Sequence, residues 1–345
     1  MNNRVTAIVP VFNRADLLQR LLATARAQTI PFAEIIVVDN ASTDDASDVA
    51  RAAGCRVIEM GQNTGFARAV NRGWRAAAEK EKEKKEKKEK EKGTDAINNS
   101  EGWVAILNSD VELDPGWLEH LLENSATSSF STGLILNAQT RNTIDGTYDL
   151  VSRSACAWRA GFGEQASLNK APRPVAIVPA TACIFRLSVL EQLGGFDEAF
   201  GSYLEDIDLG LRCVREGFTG IYVPSAVAWH HGSATFGRWD PRVVRLTSRN
   251  QLLLLSRHYD RTLFRAFLWP IIVGQLLWGL VALRHGTAFA WLAGKRDGLR
   301  GFRLEGIYSP RLRDFLTASE REIHTRSRDH YWRWYFRLTA RHIDT

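Results

Sequence analysis

Apolar and polar residues alternate along this chain in two rhythms. Short unbroken apolar runs bounded by turn residues read as strands: "VTAIVPV" (5–11), "EIIVVDN" (34–40), "CRVIEM" (55–60) and "WVAIL" (103–107). A strand covered on both faces is apolar at nearly every position. Between them the spacing turns helical. "ADLLQRLLATARAQ" (15–28) sets Leu17, Leu18, Leu21 and Leu22 on one face, "DDASDVARAAG" (44–54) closes on Gly54, and "GFARAVNRGWRAAAE" (65–79) follows the third strand. This alternation predicts βαβ units, hence an α/β fold with a mainly parallel sheet flanked by helices. Further on, the pattern predicts a helix from about Pro115, a strand over 133–137, a strand-like run over 175–186, a helix over 206–217 and a strand over 219–224. Residues 138–174 show no clear period. From about Asp240 the chain reads as helical and basic, which predicts a first domain over 1–237 and a second region over 238–345.

Charge sharpens that division. The net charge of +6 conceals 20 Lys and Arg against 9 Asp and Glu from Arg238 onward, a surplus of 11, and 25 against 30 before it. The basic part also holds the longest apolar run, the 18 uncharged residues from Ala266 to Leu283, and the aromatic "YWRWYFR" (331–337). Basic, apolar and aromatic together point to a membrane surface rather than nucleic acid. The run 266–283 is at the short limit for a span and is broken by Pro270, Gly274, Gln275 and Gly279. Flanking arginines favour an interfacial segment over a packed core helix or a true span. The run 79–92, six Glu and eight Lys with no apolar face, reads as a solvated helical extension or low-complexity insertion without chemistry. Cys55, Cys156, Cys183 and Cys213 form no paired motif, which suits a reducing compartment. "MNNR" leads straight into the first strand, so no signal peptide is expected and a cytoplasmic location is.

Candidate chemistry gathers at strand ends. Asp39 and Asp110 each close an apolar strand, and in open α/β sheets ligands bind outside the carboxyl ends of the strands. Either alone could be a turn or capping residue; two of them, with the polar "NTGFARAVN" (63–71), point to a shared pocket. "NSD" (108–110) fits a Mg²⁺ or Mn²⁺ site for a diphosphate, because such an ion takes few protein carboxylates and completes its shell with water and phosphate oxygens. "SYLEDIDLGLRCVREG" brings Glu205, Asp206 and Asp208 to the start of a helix, where acidic residues also simply complement the dipole, and Asp208 with Arg212 suits an ordinary i,i+4 pair. His230, in "AWHHGSAT", ends an apolar strand as a metal ligand or a satisfied polar residue would.

Taken together, these stretches resemble the family 2 glycosyltransferases, inverting enzymes of the GT-A fold, and most of all the rhamnosyltransferase-like branch acting on bacterial cell-surface polysaccharides. The resemblance spans about residues 4–236. It rests on "AIVPVFNRADLLQRLLATARAQT", "EIIVVDNASTDD", "NTGFARAVNRG", "WVAILNSDVEL", "LGGFDEAFGSYLEDIDLGLRCVREGF" and "WHHGSAT". It implies that Pro10, Val11 and Asn13 line the nucleotide pocket, that Asp39 accepts a hydrogen bond from a pyrimidine ring, and that Asn40, Gly65, Asn71, Asn108 and Ser109 belong to the donor side. It further implies Asp110 as a ligand of Mg²⁺ or Mn²⁺, His230 as a later ligand of the metal or the diphosphate, Asp206 as general base, and Gly195, Phe196, Asp197 and Glu205 on the acceptor side. Asn108 stands at the first position of the family's D-x-D motif, Ala180 stands where glycine is expected, and the charged run 79–92 is foreign to the family.

The implied reaction moves one sugar from a UDP- or dTDP-linked donor to a hydroxyl of a saccharide acceptor, lipid-linked if the basic region lies on the membrane. "HYWRW" (330–334) only superficially matches the Q-x-x-R-W motif of processive synthases. The rival expectation is a catalytically silent GT-A-like scaffold, which loss of Asp110, Asp206 or His230 would signal; all three are present. A nucleotidyltransferase would want a glycine-rich basic loop where "VPVFNRAD" stands.

Overall fold

The structure, a computed structural model, describes residues 4–92, 102–166, 171–232 and 239–340. The expected boundary near 237 and residues 233–235 of "WHHGSAT" lie outside the described residues.

In chain order the elements begin β1 (Val5–Val11), α1 (Ala15–Arg26), β2 (Glu34–Asp39), α2 (Ala46–Ala52), β3 (Arg56–Glu59), α3 (Phe66–Lys92) and β4 (Trp103–Leu107). These form the expected parallel βαβ unit. Its strand order, β3-β2-β1-β4, reverses direction between β1 and β4. Such a switch point opens a crevice at the carboxyl ends of the strands. The charged run 79–92 continues α3 as one helix rather than interrupting the fold, with Lys80 paired to Glu34 and Lys84 to Glu81.

Next come β5 (Val111–Leu113), α4 (Trp117–Asn124), β6 (Phe130–Asn137), β7 (Ile144–Gly146), β8 (Asp149–Val151), β9 (Ala157–Arg159), β10 (Arg173–Val175), β11 (Ala182–Arg186), α5 (Leu187–Leu193), α6 (Glu205–Glu216) and β12 (Gly220–His230). The full sheet runs β10-β12-β6-β11-β4-β1-β2-β3, with β5 on β12 and β7 on β6, while β8 and β9 form a separate hairpin. The sheet is mixed: β11 lies antiparallel between β4 and β6, whereas β12 runs parallel to β6.

The C-terminal region is helical as expected: α7 (Pro241–His258), α8 (Arg261–Ala266), α9 (Leu268–Arg284), α10 (Ala288–Leu299), α11 (Pro310–Arg326) and α12 (His330–Thr339). Its helices share a core with the sheet. Val273, Ile323, Trp332, Tyr335 and Phe336 are buried in one cluster with Leu150 and Cys156 of the β8–β9 region. A buried ion pair joins them too. Glu320 on α11 accepts from Arg153 Nε and Nη2 (3.0 and 2.8 Å), from Arg153 N (2.7 Å) and from Tyr335 Oη (3.0 Å). Among the described residues no helix is long and apolar enough to cross a membrane.

Candidate active site

Strand β4 is buried along its whole length and delivers Asn108, Ser109 and Asp110 to the carboxyl edge of the sheet. Asn108 N donates to Thr181 O and Val111 N to Asn108 O, so the chain turns back into β5. There Val111 pairs with His230 of β12. This register sets the Asp110 Oδ1 atom 3.3 Å from His230 Nε2. The opposite ring nitrogen, Nδ1, donates to Asp145 Oδ2 of β7 at 2.8 Å. Burial disfavours the His230 imidazolium, but the bonded carboxylates of Asp110 and Asp145 outweigh it and raise the pKa to about 9.

Asp145 also faces Arg159 of β9 (3.7 Å), whose Nε lies 3.5 Å from Asp149 Oδ1. Burial works against the Arg159 charge, while Asp149, Asp145 and Asp206 hold it in place. Asp149 is buried, its Oδ2 has no partner among the described residues, and burial above all pushes its pKa up to about 7; Arg159 opposes this and Asp206 adds to it.

Asp206 is the second residue of α6, which begins after two residues in the left-handed region, Tyr203 and Leu204 (φ 71° and 66°), a strained entry of the kind found at working sites. Its Oδ2 accepts from Ala180 N (3.3 Å) and its Oδ1 from Ile207 N (2.9 Å). The alanine that replaces the expected glycine thus holds the carboxylate through its backbone. Neighbouring Glu205 is buried with Oε2 unpartnered among the described residues, and burial, then repulsion from Asp206, raises its pKa well above the usual carboxylate range.

The edge formed by the ends of β1 and β2 is more tightly laced. Asp39, paired with Val11, accepts from Ser42 N (2.8 Å) and Ser47 Oγ (2.5 Å). Asn13, at φ 61°, accepts from Thr43 N through its side chain and donates its own N–H to Ser42 Oγ. Pro10, Val11, Asn13 and Asp39 therefore meet at the ends of β1 and β2. A carboxylate offers about four lone-pair positions, so Asp39 keeps capacity for a ligand. Asn40 stitches this edge to Asn63, Thr64 and Gly65. Gly65 is at φ +85°, and a Cβ there would sit 2.8 Å from Gly201 O.

Two expectations are corrected in place. Asn71 is fully buried on α3 and does not face the donor crevice: its Oδ1 accepts from Phe196 N and Trp74 Nε1, and its Nδ2 donates to Phe196 O. Gly195, Phe196 and Asp197 do not meet Asp206. They line a cavity of about 250 Å³ with Asp208, Arg212 and His258, reached from the other face of α6 because two helical residues differ by about 200°. Asp208 is the ordinary i,i+4 partner of Arg212 (2.7 Å) and also bonds His258 (2.9 Å). Sequence reasoning missed Asp145, Asp149 and Arg159 altogether.

The donor set fits a divalent cation. Asp110 oxygen and His230 nitrogen converge, the far side of the imidazole is held by a carboxylate as in many metal sites, and the surrounding Asp145, Asp149 and Asp206 leave an excess of acidic groups. Among the described residues no group of three His, Cys, Asp or Glu side chains is placed to hold a metal ion by itself, so water and ligand oxygens would complete the shell, as hard cations commonly arrange.

Residues 6–194 match the model of the family described as glycosyl transferase family 2, and residues 103–294 match glycosyl transferase family group 2. The chain belongs to glycosyl transferase family 2. It is 28% identical over 259 residues to the N-acetylglucosaminyl-diphospho-decaprenol L-rhamnosyltransferase of Mycobacterium tuberculosis, which covers 69% of this chain and 80% of that one. Among solved structures, a mannosyltransferase of Pyrobaculum calidifontis in complex with GDP-Man and Mn²⁺ aligns with a TM-score of 0.50 at 17% identity, over 99% of this chain and 86% of that one. GalNAc-T7 with UDP, GalNAc and Mn²⁺ aligns at 0.56 and 12% identity, over 88% and 58%. The protein is a glycosyltransferase of GT-A fold.

Proposed function

We propose that this glycosyltransferase moves one hexosyl or deoxyhexosyl group, with inversion, from a UDP- or dTDP-sugar to a hydroxyl of a lipid-linked saccharide. It would work at the cytoplasmic face of a membrane during cell-surface polysaccharide synthesis. The observation that carries this reading is the approach of Asp110 to His230, whose other partner Asp145 shares Arg159 with Asp206. The name of the mycobacterial relative, which acts on a sugar diphosphate of a polyprenol, supports the acceptor class and a rhamnosyl donor.

In this reading Pro10, Val11, Asn13 and Asp39 hold the base and ribose of the donor at the ends of β1 and β2. Asp110 and His230 would hold Mg²⁺ or Mn²⁺, which when bound stabilises the negative charge of the leaving diphosphate. Asp206, oriented by two backbone N–H groups, takes the proton of the acceptor hydroxyl, a contribution of ~10²–10⁴ in rate. Glu205, whose burial favours its protonated form, donates a hydrogen bond to the acceptor. A single base and no carboxylate nucleophile give one in-line displacement, and so inversion.

Calorimetric titration with UDP, dTDP and GDP, each with and without Mn²⁺, tests the donor site. Binding of UDP or dTDP that depends on Mn²⁺ is expected. No binding of any nucleotide to folded protein would turn the reading to a catalytically silent scaffold.

A further inference from the structure

On α9 the exposed residues before its terminal Arg284 are all apolar. Trp269, Ile272, Leu276, Leu280 and Leu283 follow one another at intervals of three and four, and each is 41% to 62% exposed. They form one stripe along a helix. The stripe continues sideways. Trp269 Nε1 donates to Leu338 O of α12 (3.0 Å), where Leu338 and Trp334, one turn apart, are 47% and 50% exposed. At the other end, the turn after α9 leads to Phe289 at the head of α10, exposed by 88%. The inner face of α9 is spoken for: Gln275 donates to Ser154 O, and Tyr331 donates to Gly274 O. The outer stripe is left uncovered by the described residues.

What surrounds the stripe identifies its occupant. No Asp or Glu occurs between Arg261 and Arg296, nor between His330 and Ala340. Arg265, Arg284, Arg333 and Arg337 are all exposed there. Arg337 lies over the Trp334 ring at 5.2 Å, at the rim of the apolar surface. Apolar and aromatic side chains framed by arginines, with no carboxylate, match an anionic bilayer surface, where each basic residue gains from the surface potential. A second copy of the chain fits poorly, since a two-fold interface would set these arginines against one another with no acid to neutralise them. A span fits poorly too. The 17 residues of α9 reach about 26 Å against the roughly 30 Å of a bilayer core, and their other face is packed on protein.

We propose that the outer faces of α9, α12 and the head of α10 form a docking surface for an anionic membrane, with α9 lying in the plane of the interface. The surface stands on its own geometry; only its purpose, bringing the enzyme to a lipid-linked acceptor, rests on the function proposed above. Behind it, α9 packs on the 152–156 turn between β8, which carries Asp149, and β9, which carries Arg159. Docking would therefore set the active site close behind the lipid surface.

The test is sedimentation of the full-length protein with vesicles of phosphatidylcholine alone and of phosphatidylcholine mixed with phosphatidylglycerol. Binding to the mixed vesicles only, weakened by salt, is expected. L276D/L280D, which alters exposed side chains alone, should reduce it by at least ~10-fold, and R333E/R337E by a similar factor. Unaltered melting and nucleotide binding in both variants would show that fold and donor site persist. Absence of binding to mixed vesicles, or binding untouched by either double variant, overturns the proposal. Light scattering that finds a dimer dissociated by L276D/L280D, without vesicle binding, would assign the face to a second copy. Failure of the wild type to bind nucleotide would instead sink the donor-site reading and leave the docking surface standing.

Discussion

Asp145 holds the Nδ1 nitrogen of His230 at 2.8 Å, on the side of the ring opposite Asp110. The ring is thereby held in the orientation that points Nε2 at Asp110. Removing such a partner commonly costs 10–100-fold in metal affinity. Asp145→Ala should therefore weaken Mn²⁺-dependent nucleotide binding by about that factor, while Asp110→Ala should remove the metal dependence. Titration of UDP or dTDP against both variants checks this. Unchanged affinity in Asp145→Ala would show that His230 needs no such support.

Asp206 reaches the site through the carboxylate bonds from Ala180 N and Ile207 N rather than through any contact with Asp110 or His230. Base and donor machinery should accordingly separate on mutation. Asp206→Asn keeps the shape and loses the base, so kcat should fall at least ~10²-fold with donor affinity nearly intact. Activity that survives the change would rule out Asp206 as the proton acceptor.

How much of this was legible in the sequence follows from strand length. The buried parallel strands β1, β2 and β4 announce themselves because nearly every position is apolar, and their bounds fall within a residue or two of the expected ones. Asp39, Asp110 and His230 were readable as polar residues at the ends of such runs. Asp145, Asp149 and Arg159 were not, because β7, β8 and β9 have three residues each, too few to show a period. The Asp145-Gly146 dipeptide reads instead as a turn. The apolar run 175–186 looked like one strand, yet only its ends are strands, β10 and β11, with Pro179 in the loop between them. Asn71 misled in the opposite sense. A polar residue in a donor-side motif serves here as a buried bolt between α3 and the 195–198 loop, and no local pattern separates the two uses.

The hold of α11 on the sheet domain gives a stability prediction. Arg153 and Glu320 are 5% and 3% exposed at the side chain. Glu320→Ala would leave the guanidinium buried without its carboxylate, a loss of roughly 3–5 kcal/mol. The double change Arg153→Met, Glu320→Leu should recover most of it, because two apolar side chains carry no stranded charge. Urea unfolding of the three proteins decides the matter. A single variant within ~1 kcal/mol of wild type would mean that water reaches Arg153.

Asp149 predicts a pH dependence of stability whose sign is fixed. Burial raises its pKa from the usual 3.8 to about 7 in the folded protein. Between these values the folded state keeps a proton that the unfolded state has released. Stability then falls as pH rises from about 4 to about 7 and is flat in this respect above it. An amide cannot ionise, so Asp149→Asn should escape the loss and gain up to roughly 4 kcal/mol on wild type at pH 8 relative to pH 4. Other titrating groups largely cancel in that difference between proteins. Unfolding midpoints measured at both pH values supply it. Parallel profiles for the two proteins would mean that Arg159, at 3.5 Å, keeps Asp149 ionised throughout.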